Sequence, residues 1–341
     1  LLVGVVSLGN FVKSIPFQIV DFDSFQYLTF SKSLFSGGEI YIPSIRSPFV
    51  SLVIPPHLLA ARFVMVLFHI GTAFLIYALS LRLFKNQLPA LSKVEGPALF
   101  AALSYGFSWW MLVFQTSPLS DLPGIFLFLL GFFFWLKQDS RSTLVSGVLF
   151  GLAFLVRFDL VFLILPLIAF TKHKMLVRLL IPLFVIVLPL EFLADFLAYG
   201  RFVYAPWEFF RINFLQFGGL ASKDFLHVAR VLFNAAPLLS FLSVFALFSP
   251  FGGSPEGRQL SQRSNKILLS IFTPFFLLAS YAEPLEPRIF IVKLLPLLAL
   301  LSANFFIVLQ RILPKKEAWR PAERGKEPRL AWQAVAFGLL I

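Results

Sequence analysis

The sequence predicts an all-α, polytopic integral membrane protein of about eleven membrane segments, and three observations predict it. Apolar residues make up 58% of the 341-residue chain and charged residues only 13%, with a mean hydropathy of +0.85; soluble domains have about half and about a quarter, respectively. The apolar residues form continuous runs of about twenty, the length a helix needs to cross a bilayer, rather than the ten-residue alternating segments of a barrel. Lys and Arg gather in short connections, so the net charge of +12 reads as a positive-inside signal and not as a nucleic-acid surface.

The elements follow in order. Residues 1–20 give a first span, and residues 20–56 a first external loop in which Asp21 and Asp23 precede a helix expected over 24–36 that ends at Gly37 and Gly38. Phe25, Leu28, Leu34 and Phe35 give this interfacial helix a membrane-facing side. His57–Leu81 is a second span, and its basic exit through Arg82, Lys85 and Lys93 is cytoplasmic, which places Asp21 and Asp23 outside. Gly96–Gln115 crosses out and Ser117–Leu136 returns, with Asp121 near the outer turn.

Residues 142–170 lie between two basic stretches, and an even number of crossings is required between them. That predicts two short helices with Arg157 and Asp159 at the turn; the alternative is one long helix carrying both charges. Leu179–Ala198 crosses outward to a second external segment, 199–230, whose Trp, Tyr, Phe and Arg suit an interface. Val231–Ser249 returns, 250–266 is a Gly/Ser/Pro-rich cytoplasmic loop, Ile267–Ala282 and Ile289–Leu309 flank the outer turn EPLEPR, and 311–329 carries seven basic residues against three acids. A final run begins at Leu330. The chain is expected to be a single transmembrane domain, 1–341, truncated at its C-terminus.

No P-loop, HExxH, G-x-S-x-G or dinucleotide fingerprint is present. Cysteine is absent, and the four histidines lack metal-ligand spacing. The residues left for chemistry lie on the outer face. Asp23-x-x-Gln26 matches a capping box, so Asp23 reads either as an N-cap or as an ionised acid able to accept a proton or hold a cation. Glu283, Glu286, Arg288 and Lys293 lie near the same face, where Arg288 and Lys293, with Arg46, read either as headgroup contacts or as a lipid-phosphate site.

Several stretches together resemble the GT-C membrane glycosyltransferases, most closely family 39, the protein mannosyltransferases and aminoarabinose transferases. They are DSFQYLTFSKSLFSGG with RSPFVSLVIP, ARFVMVLFHIGTAFLIYALSLRLF, TSPLSDLPGIFLFLLGFFFWLK, SGVLFGLAFLVRFDLVFLILPL and EPLEPRIFIVKLLPLLALLSA. Ser24 stands where the family often has Glu, and Ile289 where Tyr is common. The resemblance implies inverting transfer of a sugar from a polyprenyl-phosphate donor to a lipid, glycan or protein acceptor outside the plasma or inner membrane. Asp23, supported by Asp21, would be the catalytic Asp that deprotonates the acceptor hydroxyl; Arg288, Lys293 and Arg46 would bind the donor phosphate. Asp121 and Glu286 would be supporting acids, and Asp21 with Asp23 could hold a divalent cation, Mg or Mn, as in some members. Membrane lipids are expected as partners and nucleic acid is not. A transporter or flippase for lipid-linked saccharides, or an inactive scaffold, is the alternative; acids gathered on one face without internal repeats favour the enzyme.

Overall fold

The computed structural model describes residues 1–16, 22–36, 49–84, 91–199, 201–212, 225–248, 264–274, 276–277 and 288–312. All regular structure among them is helical. The expected outer turn 283–287, the loop 250–263 and the basic tail with its last run lie outside the described residues, as do Asp21, Arg46 and Glu286. The count of about eleven spans therefore stays an expectation from sequence.

Helix α1 (Leu2–Ser14) runs antiparallel to α4 (Leu58–Phe84). Gly4 faces Ile70, Phe11 packs on Phe63 with ring centroids 5.6 Å apart, and Arg62 Nη1 donates to the Ser14 carbonyl at 2.5 Å. Two short helices, α2 (Phe22–Ser36) and α3 (Val50–Val53), lie between them in sequence. At 27 residues α4 is about 40 Å long, enough to cross a hydrocarbon core of about 30 Å.

The single outward span expected over 96–115 is divided into α5 (Leu91–Gly106) and α6 (Trp109–Phe114). Breaking a helix frees carbonyls that lipid cannot satisfy. Here buried His69 on α4 puts Nε2 3.3 Å from the Gly106 carbonyl at the break.

Helices α7 (Asp121–Trp135) and α8 (Ser140–Val156) pack antiparallel. Gly131 meets the Phe150 ring, and Gly124 meets Leu160 and Arg157. Asp139 caps α8, its carboxylate accepting the Ser142 N–H at 2.9 Å. Arg157 then takes an extended conformation, φ −152° and ψ 107°, and a 3-10 turn (Phe158–Leu160) leads to α9 (Val161–Ala169).

Helix α10 (His173–Tyr199) settles the direction of this stretch. A Cβ on Gly147 would strike the Leu179 carbonyl, while one on Gly151 would touch Leu183 and Val187. Both helices advance in the same sense, so α8 and α10 are parallel, seated through a small-xxx-small pair. The intervening chain must return to its starting level, which is the two-helix arrangement expected from the basic loops.

Further helices are α11 (Ala205–Phe210), α12 (Phe225–Ala235), α13 (Pro237–Phe248) and α14 (Arg288–Ile312), and residues 264–274 are helical as well. Ser243 Oγ donates to Leu298 O at 3.0 Å across α13 and α14, and Ser264 Oγ to Leu83 O at 3.1 Å near the C-terminal end of α4. Residues 291–303 of α14 are buried on every side, the property of a helix at the centre of a bundle. By contrast α10 buries one stripe and exposes Ile181, Val185, Phe192 and Phe196.

Candidate functional site

Helix α2 buries one stripe, Asp23, Ser24, Tyr27, Phe30 and Ser31, and turns Phe25 and Phe35 outward. Leu28 and Leu34, expected on the membrane side, are half-buried. Phe22 is already helical, so Asp23 occupies the first turn and not the N-cap that the capping-box spacing suggests. The first turn still favours a carboxylate, because unpaired N–H groups make that end positive. Ser31 Oγ fixes the helix by donating to Ile54 O at 2.6 Å, and Tyr27 Oη lies 3.2 Å from Ser120 Oγ, one residue before α7.

Ser120 leads into a buried group of four charges. Arg157 Nη1 donates to Ser120 Oγ at 3.0 Å and to Asp121 Oδ2 at 3.2 Å; Arg157 Nε reaches Asp159 Oδ1 at 3.3 Å. Lys293 Nζ, on α14, bonds Asp159 Oδ2 at 2.5 Å and lies 3.3 Å from Asp121 Oδ1. The Lys293 side chain is 0% exposed, those of Asp121 and Asp159 are 3% and 6%, and that of Arg157 is 11%. Two cations alternate with two carboxylates, the condition under which charges can remain inside a membrane protein. Asp23 lies within electrostatic reach of Arg157, and Tyr27 reaches Arg157 through Ser120, which links α2 to the quartet.

Local sequence explains the arrangement. Helix α8 ends at Val156, and the extended Arg157 followed by a 3-10 turn points Arg157 and Asp159 back to each other. Gly124, one turn into α7, makes room: its Cβ would come 2.9 Å from Leu160 Cδ1 and 3.2 Å from Arg157 Cβ.

Of the residues singled out from sequence, Asp23, Asp121 and Lys293 meet this assembly. Arg288 opens α14, and Asp21, Arg46 and Glu286 lie outside the described residues. Lys293 differs from the expectation of a phosphate ligand in having two carboxylates as partners. Arg157 and Asp159, expected only at a turn, are central. Tyr27 and Ser120 carried no sequence signal, whereas Glu191 and Asp195 did: charged residues inside an apolar run are costly and mark candidate sites. Among the described residues no group of three or more His, Asp or Glu side chains could hold a metal.

The all-helical membrane fold and its matches define a GT-C membrane glycosyltransferase. A crystal structure of ArnT from Cupriavidus metallidurans bound to undecaprenyl phosphate superposes with a TM-score of 0.64 over 99% of this chain, at 14% identity. The chain spans 62% of the length of that structure. No curated protein matches the sequence. The chain belongs to the Alg9-like mannosyltransferase family, whose model matches residues 29–337; this is a different GT-C branch from the family-39 sequences that its motifs resemble. The matched region begins just after Asp23.

Proposed function

We propose that the chain transfers a sugar from a polyprenyl-phosphate donor to a lipid, glycan or protein acceptor at the outer face of the plasma or inner membrane, inverting the anomeric carbon. The observation that carries this reading is the buried Asp121–Arg157–Asp159–Lys293 quartet, joined through Ser120 and Tyr27 to the helix bearing Asp23. The undecaprenyl phosphate in the ArnT crystal structure supports a polyprenyl carrier, and the family supports a hexose such as mannose. The basic connections on the opposite side support the orientation.

In this reading the acceptor hydroxyl attacks the anomeric carbon while Asp23 takes its proton. The bond from that carbon to the phosphate oxygen breaks, and the lipid phosphate leaves with the electron pair. Arg157 offers Nη2 to the departing phosphate, since its bonds to Ser120, Asp121 and Asp159 run through Nη1 and Nε. Arg288, at the start of α14, adds a second cation. Lys293 acts behind Arg157, holding the two carboxylates that orient it.

Membranes containing Asp23→Asn, supplied with a radiolabelled polyprenyl-phosphate mannose and native acceptor membranes, test this. Transfer should fall by at least about 10²-fold, the contribution of a positioned base, with unchanged protein level. Turnover like that of the parent chain would remove Asp23 from the mechanism.

A further inference from the structure

The outer part of α10 holds two acids that the proposed transfer does not use. Glu191 and Asp195 are 1% and 0% exposed and continue the buried stripe that runs from Leu179 through Val187; Phe192, Leu193, Phe196 and Leu197 beside them are exposed. Four residues apart on a helix, the two carboxylates share a face, and each raises the electrostatic cost of ionising the other in a weakly polar surrounding.

Asp195 has one structural task. Its Oδ2 accepts the N–H groups of Val203 at 3.1 Å and Tyr204 at 2.6 Å, fastening the turn before α11, where Tyr204 has φ 56°. Three oxygens are left: among the described residues Glu191 Oε1, Glu191 Oε2 and Asp195 Oδ1 have no hydrogen-bond partner. A buried, unpartnered carboxylate is too costly to retain without compensation. A sugar hydroxyl could satisfy one oxygen; a cation satisfies oxygens of both carboxylates at once and lets both ionise.

The parallel register of α8 and α10 gives the location. Gly147 lies at Leu179 and Gly151 at Leu183 and Val187, so the next step of four brings Glu191 to the level where α8 ends and the Arg157–Asp159 turn begins. Phe158 in that turn packs on Phe209 of α11 with centroids 5.8 Å apart, and α11 follows the turn that Asp195 holds.

We propose that Glu191 and Asp195 bind one divalent cation of the hard, oxygen-preferring class, Mg²⁺ or Mn²⁺, at the outer end of α10, beside the charge quartet. Carboxylate oxygens without thiolate or imidazole select this class. Such ions are commonly held by one or two carboxylates and keep the rest of their shell for water or phosphate oxygens. Two residues therefore suffice, and the open positions suit a phosphate group. The site rests on α10 and not on the role given to Asp23, so binding without turnover tests it separately.

The test is an Mn²⁺ titration of the purified full chain in detergent micelles, read by electron paramagnetic resonance, with thermal unfolding alongside. The parent chain should bind one Mn²⁺ that Mg²⁺ displaces, and Asp23→Asn should bind it equally well. Glu191→Gln should weaken binding by about tenfold or more, and Asp195→Asn likewise, because a ligand is lost. In metal-free buffer Glu191→Gln should melt no lower than the parent, since the amide replaces a carboxyl that has no partner among the described residues. No bound Mn²⁺ in the parent chain, parent-like affinity in Glu191→Gln, or a lower metal-free Tm for that variant would each overturn the site.

Discussion

Lys293 gives the sharpest test of how the quartet works. Lys293→Met keeps the length of the side chain and removes its charge. The lost interactions are the 2.5 Å bond to Asp159 and the 3.3 Å approach to Asp121, both made by a side chain that is 0% exposed. Removing one partner of a buried ion pair costs about 3–5 kcal/mol; Arg157 still bonds both carboxylates, so the lower end, about 3 kcal/mol, applies. At about 2–4 °C per kcal/mol the Tm should fall by roughly 6–12 °C. Thermal unfolding in detergent at pH 7 reads this, with Asp159→Asn and the double variant completing a cycle. The double variant should be less destabilised than the sum of the singles by about 1–3 kcal/mol, because each single leaves the other charge stranded. Were Lys293 a direct ligand of the donor phosphate, Lys293→Met would cut transfer and leave Tm within about 1 °C of the parent. That result would refute the anchoring role argued here.

Two further outcomes follow from the packing of α8. Gly147→Ala puts a methyl group against the Leu179 carbonyl, which cannot move without shifting α10, whereas at Gly151 the nearest atoms are 3.4 Å away. Gly147→Ala should therefore lower Tm and yield of folded protein well below Gly151→Ala, measured by size exclusion and unfolding; equal behaviour would contradict the close parallel contact. At the N-terminal end of the same helix, the backbone N–H of Ser142, then its hydroxyl, hold the Asp139 carboxylate below its ordinary pKa. A depressed folded pKa gives stability that is present above the unfolded value, about 4, and is lost as pH falls through the lower folded value. Asp139→Ala should be less stable than the parent at pH 7, with the gap closing below that value, while Asp139→Asn, still a capable cap, should remain near the parent throughout.

The membrane class and the order of helices were legible because they depend on local quantities: the length of apolar runs and the side on which Lys and Arg collect. The reversal after Arg157 could also be deduced, since two basic loops on one side require an even number of crossings, and the parallel packing of Gly147 and Gly151 on α10 bears it out. The division of the outward span at Gly106 could not be, because it depends on His69, 37 residues away, receiving the freed carbonyl.

The site shows the same division between local and distant information. An apolar run containing Arg157 and Asp159, or Lys293, states that each charge needs a partner but not which one. Lys293 and Asp159 are 134 positions apart in the sequence, and Arg157 and Asp121 are 36 apart; only packed helices bring them together. Lys293 pairs with Asp121 and Asp159, and the proposed phosphate-facing role is therefore given to Arg157, the member of the quartet with the most exposed side chain. The same reasoning isolates Glu191 and Asp195: each charge of the quartet has an opposite neighbour among the described side chains, whereas Glu191, set in the sequence VIVLPLEFLADF, has none there and Asp195 has only the N–H groups of Val203 and Tyr204. Their buried oxygens without partners among the described residues are the physical basis for assigning a cation there.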